Sequence, residues 1–168
     1  PELEKQLVGV VFLNTAPDNY WYRSFAERSK QQDLPNVSLF RKQLLEHPCN
    51  AHYAEYLLQS LRYYFREAFL EQGKQLFLTL PFNYKPYFWA IEHFHPTYQA
   101  SWIPAMPCLI VGSEFDVMTP PDVFEQTPYR ANNFRHVTIS NAAHFPWIEN
   151  LSAVQVHLQD FEKVILNA

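Results

Sequence analysis

Two side chains are placed for proton-transfer chemistry, Asp116 and His144. Asp116 follows the apolar run Cys108-Leu109-Ile110-Val111 by a few residues, and His144 follows His136-Val137-Thr138-Ile139 in the same way. If these runs are neighbouring parallel strands, about 4.8 Å apart, both loops leave the sheet at one edge and the two side chains can converge there. A carboxylate beside an imidazole fixes its tautomer and stabilises the imidazolium, which equips the histidine as a general base. The same spacing also fits an Asp that merely caps a turn and a His that packs before Phe145-Pro146-Trp147, so spacing alone leaves both readings open.

The elements that would position these residues are short. Val8-Gly9-Val10-Val11-Phe12-Leu13 and Cys108 to Val111 are apolar at consecutive positions, the pattern of strands buried on both faces. They and His136 to Ile139 each end in turn chemistry: Asn14-Thr15-Ala16-Pro17, Gly112 to Asp116, and Ser140-Asn141-Ala142-Ala143. Pro120-Pro121-Asp122-Val123-Phe124-Glu125 reads as a helix start between the second and third runs. Leu151, Val154, Leu158, Phe161 and Ile165 then predict a long helix with one apolar face. This β-α-β-α order predicts an α/β fold, a parallel sheet with covering helices.

Residues 18–103 contain no convincing strand. Tyr53, Leu57, Leu61, Tyr64 and Ala68 recur at helical spacing, predicting a continuous helix from Ala51 to Glu71, with shorter pieces broken by Pro35, Pro48, Pro81, Pro86 and Pro96. The expected organisation is a core strand in residues 1–17, an all-helical insertion in 18–103, and the acid and histidine loops in 104–168.

Composition excludes several functions. The three glycines, Gly9, Gly73 and Gly112, rule out a dinucleotide fingerprint, a phosphate-binding P-loop and a Gly-x-Ser-x-Gly elbow within these 168 residues. With 13 basic against 17 acidic residues and no basic run, no nucleic-acid partner is expected. No apolar stretch approaches the ~20 residues of a membrane span. The two cysteines form no disulfide framework, so a reducing, cytoplasmic setting is expected. No charged-then-apolar pattern opens the sequence, and its first residue is Pro1.

Three ordered motifs resemble the α/β-hydrolase family. Gly112-Ser113-Glu114-Phe115-Asp116-Val117-Met118-Thr119-Pro120-Pro121 is similar to the family's acid loop, and Asn141-Ala142-Ala143-His144-Phe145-Pro146-Trp147-Ile148-Glu149-Asn150 to its catalytic-histidine loop. Leu7 to Pro17 resembles the strand after the nucleophile helix, and the insertion corresponds in position to the helical cap of proline iminopeptidase-like hydrolases. The resemblance implies a partial α/β-hydrolase fold in which Asp116 orients His144, with hydrolysis of a small ester or amide through an acyl-enzyme and no metal or organic cofactor. Ser113 and Ala143 depart from the glycines usual at those positions.

The family order is nucleophile, acid, histidine, so the resemblance puts the nucleophile and the oxyanion-hole loop upstream of this chain. Neither Ser113 nor Ser140 has the strand-turn-helix elbow; Cys49 falls in the insertion and Cys108 inside a strand, and all four read as structural. This chain alone is therefore expected to be inactive, with a preceding segment or another copy covering the strand at Val8 to Leu13. His93-Phe94-His95, read as an extended segment, and His47-Pro48-Cys49 with His52 lack the paired spacing of a zinc site, so no metal is expected. An iminopeptidase-like activity would need carboxylates for a substrate ammonium, and Glu92 and Glu67 are the candidates. Aromatic clusters at Tyr20-Trp21-Tyr22, Tyr63-Tyr64-Phe65 and Tyr84 to Trp89 point to a largely apolar substrate. The alternatives are an aspartate-nucleophile dehalogenase or epoxide hydrolase, and a non-catalytic binding module.

Overall fold

The computed structural model describes residue 2 and residues 4–167. Its sheet has three parallel strands, β1 (Val10–Leu13), β2 (Cys108–Ser113) and β3 (Phe134–Ile139), in the order β1-β2-β3. The register sets Val10 opposite Cys108 and Cys108 opposite Phe134. β2 is buried along its whole length because it has a strand on each side and cover on both faces. Its side chains alternate between two cores. Cys108 and Ile110 join Val123, Phe124, Tyr129 and Phe134, while Leu109 and Val111 join Ile139, Ala142, Val154 and Phe161. Each such aliphatic side chain taken fully out of water contributes about 1.5–3 kcal/mol, so β2 anchors the sheet from both faces. A Cβ on Gly112 would stand 2.8 Å from Pro121 Cγ; glycine lets β2 end against the 3-10 turn Pro121–Phe124.

β1 does not match the expectation of a strand buried on both faces. Val8 falls outside it and is 70% exposed, and Val11 is 40% exposed. Among the described residues β1 pairs only with β2, so its outer edge lacks the neighbour that shields β2.

Between β1 and β2 the chain is helical, with α1 (Trp21–Gln31), α2 (Ser38–Glu46), α3 (Asn50–Gln59), α4 (Leu61–Tyr64), α5 (Leu70–Leu78) and α6 (Tyr84–Trp89). The continuous helix expected from Ala51 to Glu71 is broken. Ser60 ends α3 with its hydroxyl bonded to the Tyr56 carbonyl at 2.6 Å, a local bond that competes with the helix ladder. After α4, Phe65 and Arg66 turn extended (φ −130°, ψ 146° and φ −68°, ψ 157°) before a 3-10 turn at Glu67–Phe69. Tertiary packing wins over periodicity here. The buried Phe65 ring stacks on Phe145 at 4.7 Å between centroids, and Gly73 leaves it room, since a Cβ there would lie 2.4 Å from the ring.

His93 and His95 also depart from expectation, lying on or beside a π-helical turn, Ala90–Phe94, and not on an extended segment. The turn is closed by the His95 N–H to Ala90 carbonyl bond of 2.7 Å, and the His95 ring is drawn in against Trp21 and Tyr22. After β3 come α7 (Pro146–Glu149) and α8 (Leu151–Leu166). Val154 and Phe161 bury against the sheet, but Leu151 and Leu158, predicted for the same face, are 51% and 38% exposed. The buried stripe is narrower than the sequence pattern because α8 covers only the Leu109–Val111 face of a short sheet. Among the described residues no helix is long and apolar enough to cross a membrane.

Candidate active site

The carboxyl edge of the sheet gathers three loops. Asp116 lies three residues beyond β2, with its side chain fully buried. Five donors converge on it. The N–H groups of Met118 and Thr119 donate to Oδ1 at 2.8 and 3.1 Å, and the Thr119 hydroxyl and Asn14 Nδ2 to Oδ2 at 3.1 and 2.8 Å. The fifth is His144 Nδ1, 3.0 Å from Oδ2 and 3.2 Å from Oδ1. Burial alone pushes this carboxyl up, but the His144 hydrogen bond and charge, with the Thr119 and Asn14 donors, hold it below the ordinary carboxylate value. An ionised Asp116 accepts from Nδ1–H, which leaves Nε2 as the basic nitrogen of His144. The His144 side chain is 22% exposed, and among the described residues no serine or cysteine hydrogen-bonds to it.

Asn14 and Asn141 take positive φ, 41° and 54°, at the ends of β1 and β3. Asparagine tolerates this left-handed conformation better than most residues. Asn14 is buried, and besides Asp116 its amide reaches the Ser113 hydroxyl at 2.9 Å. The acid and histidine loops are laced together by Phe115 N–H to the Ala142 carbonyl at 2.9 Å and by Asn141 N–H to Glu114 Oε2 at 2.9 Å. A cavity of about 170 Å³ between β2, β3 and the Pro121–Phe124 turn touches Asn14 and Thr119, two of the donors to Asp116, but neither Asp116 nor His144.

The broken helix of the insertion meets the histidine loop. His144 N–H donates to the Tyr64 carbonyl at 3.0 Å. Buried Glu149 accepts from Arg66 N–H at 2.6 Å through Oε1 and from Ala143 N–H through Oε2. The Arg66 guanidinium bonds the Asn141 carbonyl at 2.8 Å and lies 5.2 Å above the Phe115 ring. Residues 64–66 and 141–149 thus form one hydrogen-bonded unit.

The remaining sequence candidates fall elsewhere. Ser113 is fully buried and accepts from Asn14, while Ser140 is exposed. Cys108 is buried, and desolvation pushes its thiol up to about 11, far from a reactive thiolate. Cys49 caps α3, its sulfur accepting from His52 N–H. Glu67 pairs with Arg62 and Glu92 with His93, both on exposed surface. Burial lowers His95, whose Nδ1 meets the Tyr22 hydroxyl at 2.9 Å. Among the described residues no three His, Cys, Asp or Glu side chains gather as a metal cluster. Sequence reasoning gave no role to Asn14, Arg66 or Glu149. The available signals were an asparagine at a strand end and an acidic residue directly after the apolar stretch Pro146-Trp147-Ile148.

No family model matches the chain, and no curated protein matches it at a significant level. Solved structures do. A hydrolase of the alpha/beta fold family from Bacillus anthracis superposes with a TM-score of 0.66 at 14% identity, over 95% of this chain and 60% of that one. A thermophilic esterase from Thermogutta terrifontis gives 0.61 at 17% identity, over 98% and 58%. A proline iminopeptidase from Mycobacterium smegmatis gives 0.61 at 14% identity, over 97% and 59%. The fold is that of the α/β-hydrolases. The chain spans 58% to 60% of the length of these three structures. Within this fold the loops after two adjacent strands carry a buried carboxylate and an imidazole it can polarise.

Proposed function

We propose that the chain is the acid- and histidine-bearing part of a serine hydrolase, one that cleaves an ester or amide bond of a small, largely apolar substrate. The observation that carries this reading is the Asp116 carboxylate 3.0 Å from His144 Nδ1 at the carboxyl edge of a parallel sheet. In this reading Nε2 takes the proton of a serine hydroxyl as its oxygen bonds to the substrate carbonyl carbon. The tetrahedral intermediate collapses when His144 returns that proton to the leaving group. Water, deprotonated by the same nitrogen, then releases the acid and restores the serine. Asp116 stays ionised throughout and keeps the ring oriented.

The serine belongs to a segment preceding β1, which is the chain's intramolecular partner, and the helical insertion serves as the cap over the crevice. The chemistry requires neither metal nor organic cofactor. Free thiols at Cys49 and Cys108 suit a reducing, cytoplasmic compartment.

The test uses the protein with its preceding segment. Short aryl or alkyl esters are turned over, and His144→Ala lowers kcat by at least roughly 10²–10⁴-fold, the worth of a general base. Cleavage confined to arylamides of N-terminal proline would narrow the reading to an iminopeptidase. Turnover of haloalkanes or epoxides, with none of any ester or amide, would overturn it in favour of an aspartate nucleophile. A His144→Ala variant with undiminished esterase activity would overturn it as well.

A further inference from the structure

Asn14 stands where β1 ends and reaches across the sheet to the acid. Its backbone is tied to β2 by the Asn14 N–H to Val111 carbonyl bond of 2.9 Å, and the residue is buried. Its Nδ2 donates to Asp116 Oδ2 at 2.8 Å and to the Ser113 hydroxyl at 2.9 Å, and lies 3.4 Å from the Ala143 carbonyl beside His144. One NH₂ group thus meets the end of β2, the acid and the histidine loop.

The other donors to Asp116 hold less. Met118 and Thr119 belong to the acid's own loop, so their bonds fix the carboxylate relative to a segment that moves with it. Asn14 comes from another strand, 102 positions away. It engages Oδ2, which at 3.0 Å is the nearer of the two oxygens to His144 Nδ1. Through the Ala143 carbonyl the same amide touches the loop that carries the histidine.

This contact is kept at two local costs. Asn14 holds φ at 41°, a conformation that L-residues adopt with strain. Its Oδ1 is buried and meets no donor among the described residues. Turning the amide over would aim Oδ1 at the Asp116 and Ala143 oxygens, acceptor against acceptor, so what Nδ2 gives sets the orientation. The turn alone does not require the amide, because a glycine makes it without a side chain.

We propose that Asn14 is a positioning residue for the reaction. It acts through Asp116, holding Oδ2 toward His144 Nδ1 so that Nε2 stays the basic nitrogen. The proposal rests on the hydrolase reading for the reaction it serves, but the orientation itself is measurable without turnover.

Two variants separate this role from turn formation. Asn14→Gly keeps the left-handed turn and removes the amide. Asn14→Asp keeps the shape and the tolerance of positive φ, but sets a second carboxylate against Asp116 Oδ2, and carboxylates so close do not both ionise. In this chain with ¹⁵N-labelled histidine, neutral His144 is expected to carry its proton on Nδ1, and Asn14→Gly should lower the share of that tautomer. In the protein with its preceding segment, each variant should lower kcat on a short aryl ester at least about tenfold, the worth of one hydrogen bond to a charged group. KM should change by less than about twofold, since no substrate contact is removed. For Asn14→Asp the acid limb of kcat/KM should move to higher pH, because the shared proton must leave before Asp116 accepts fully from His144. Unchanged kcat in both variants, or an unaltered His144 tautomer in Asn14→Gly, would overturn the proposal and leave Asn14 a turn former. An unmoved acid limb in Asn14→Asp, which keeps the side chain's volume, would overturn it even if Asn14→Gly failed to fold. A tautomer that responds as expected, in a protein whose complete form hydrolyses no ester or amide, would count against the hydrolase reading alone. Ester hydrolysis indifferent to both variants would count against this proposal alone.

Discussion

Asp116 is the residue on which the site's electrostatics turn, and its environment makes a prediction with a definite sign. Its folded value lies below the ordinary 3.8, so its contribution to stability is fully present above that pH. That contribution is lost as pH falls below about 4, through the depressed folded value, because the unfolded chain takes up the proton first. Asp116→Asn should therefore flatten the acid limb of a melting-temperature profile, and an unchanged limb would mean that other carboxylates control it. Asn14 supplies one of the donors behind this shift, so Asn14→Ala should cost about 1–3 kcal/mol in a urea melt and move the acid limb to higher pH. Loss of stability without movement of that limb would reduce Asn14 to a loop-former. The convergence of Asp116 and His144 was legible in sequence because both follow apolar runs at matching offsets. Asn14 was not, because nothing in Leu13-Asn14-Thr15 distinguishes a turn asparagine from one that folds its amide back onto a residue 102 positions away.

At the scale of elements, the feature that periodicity could not reveal is the interruption between α3 and α5. Tyr53, Leu57, Leu61 and Tyr64 do recur at helical spacing, and the pattern contains no proline to end it. The break is written instead in partners far along the chain: Phe65 stacks on Phe145, and Arg66 N–H is taken by Glu149. Sequence reading of β2 succeeded for the converse reason, since a strand buried between two others needs only apolar residues at consecutive positions. Glu149 joins the two regions, with one oxygen on the insertion and the other on the Ala143 amide next to His144. Glu149→Gln keeps the shape but turns an NH₂ group toward one of the two N–H donors. It should destabilise the fold by about 1–3 kcal/mol and raise amide exchange at Arg66 and Ala143 together. Faster exchange at only one of the two would show that the insertion and the histidine loop open independently.

On the scale of the whole molecule, protection of the sheet is asymmetric. β2 is covered by strands on both sides, whereas β1 and β3 each leave one edge unpaired among the described residues; β3 carries Arg135, while β1 has no charge and Val11 is 40% and Val8 beside it 70% exposed. An unpaired edge bearing β-branched residues and no charge is a template for another strand. The net charge of −4 over 168 residues offers little repulsion against such pairing. In a solution of this chain by itself, association should therefore rise with concentration, read as a growing weight-average mass in sedimentation velocity. Val11→Lys introduces a charge on a strand position already partly in water, so it should suppress association while lowering the melting temperature by only a few degrees. An equal response to a Lys placed at the exposed Leu39 of α2, far in sequence from the edge, would assign the association to general apolar exposure. Suppression by Val11→Lys alone identifies the β1 edge as the surface through which copies of this chain associate.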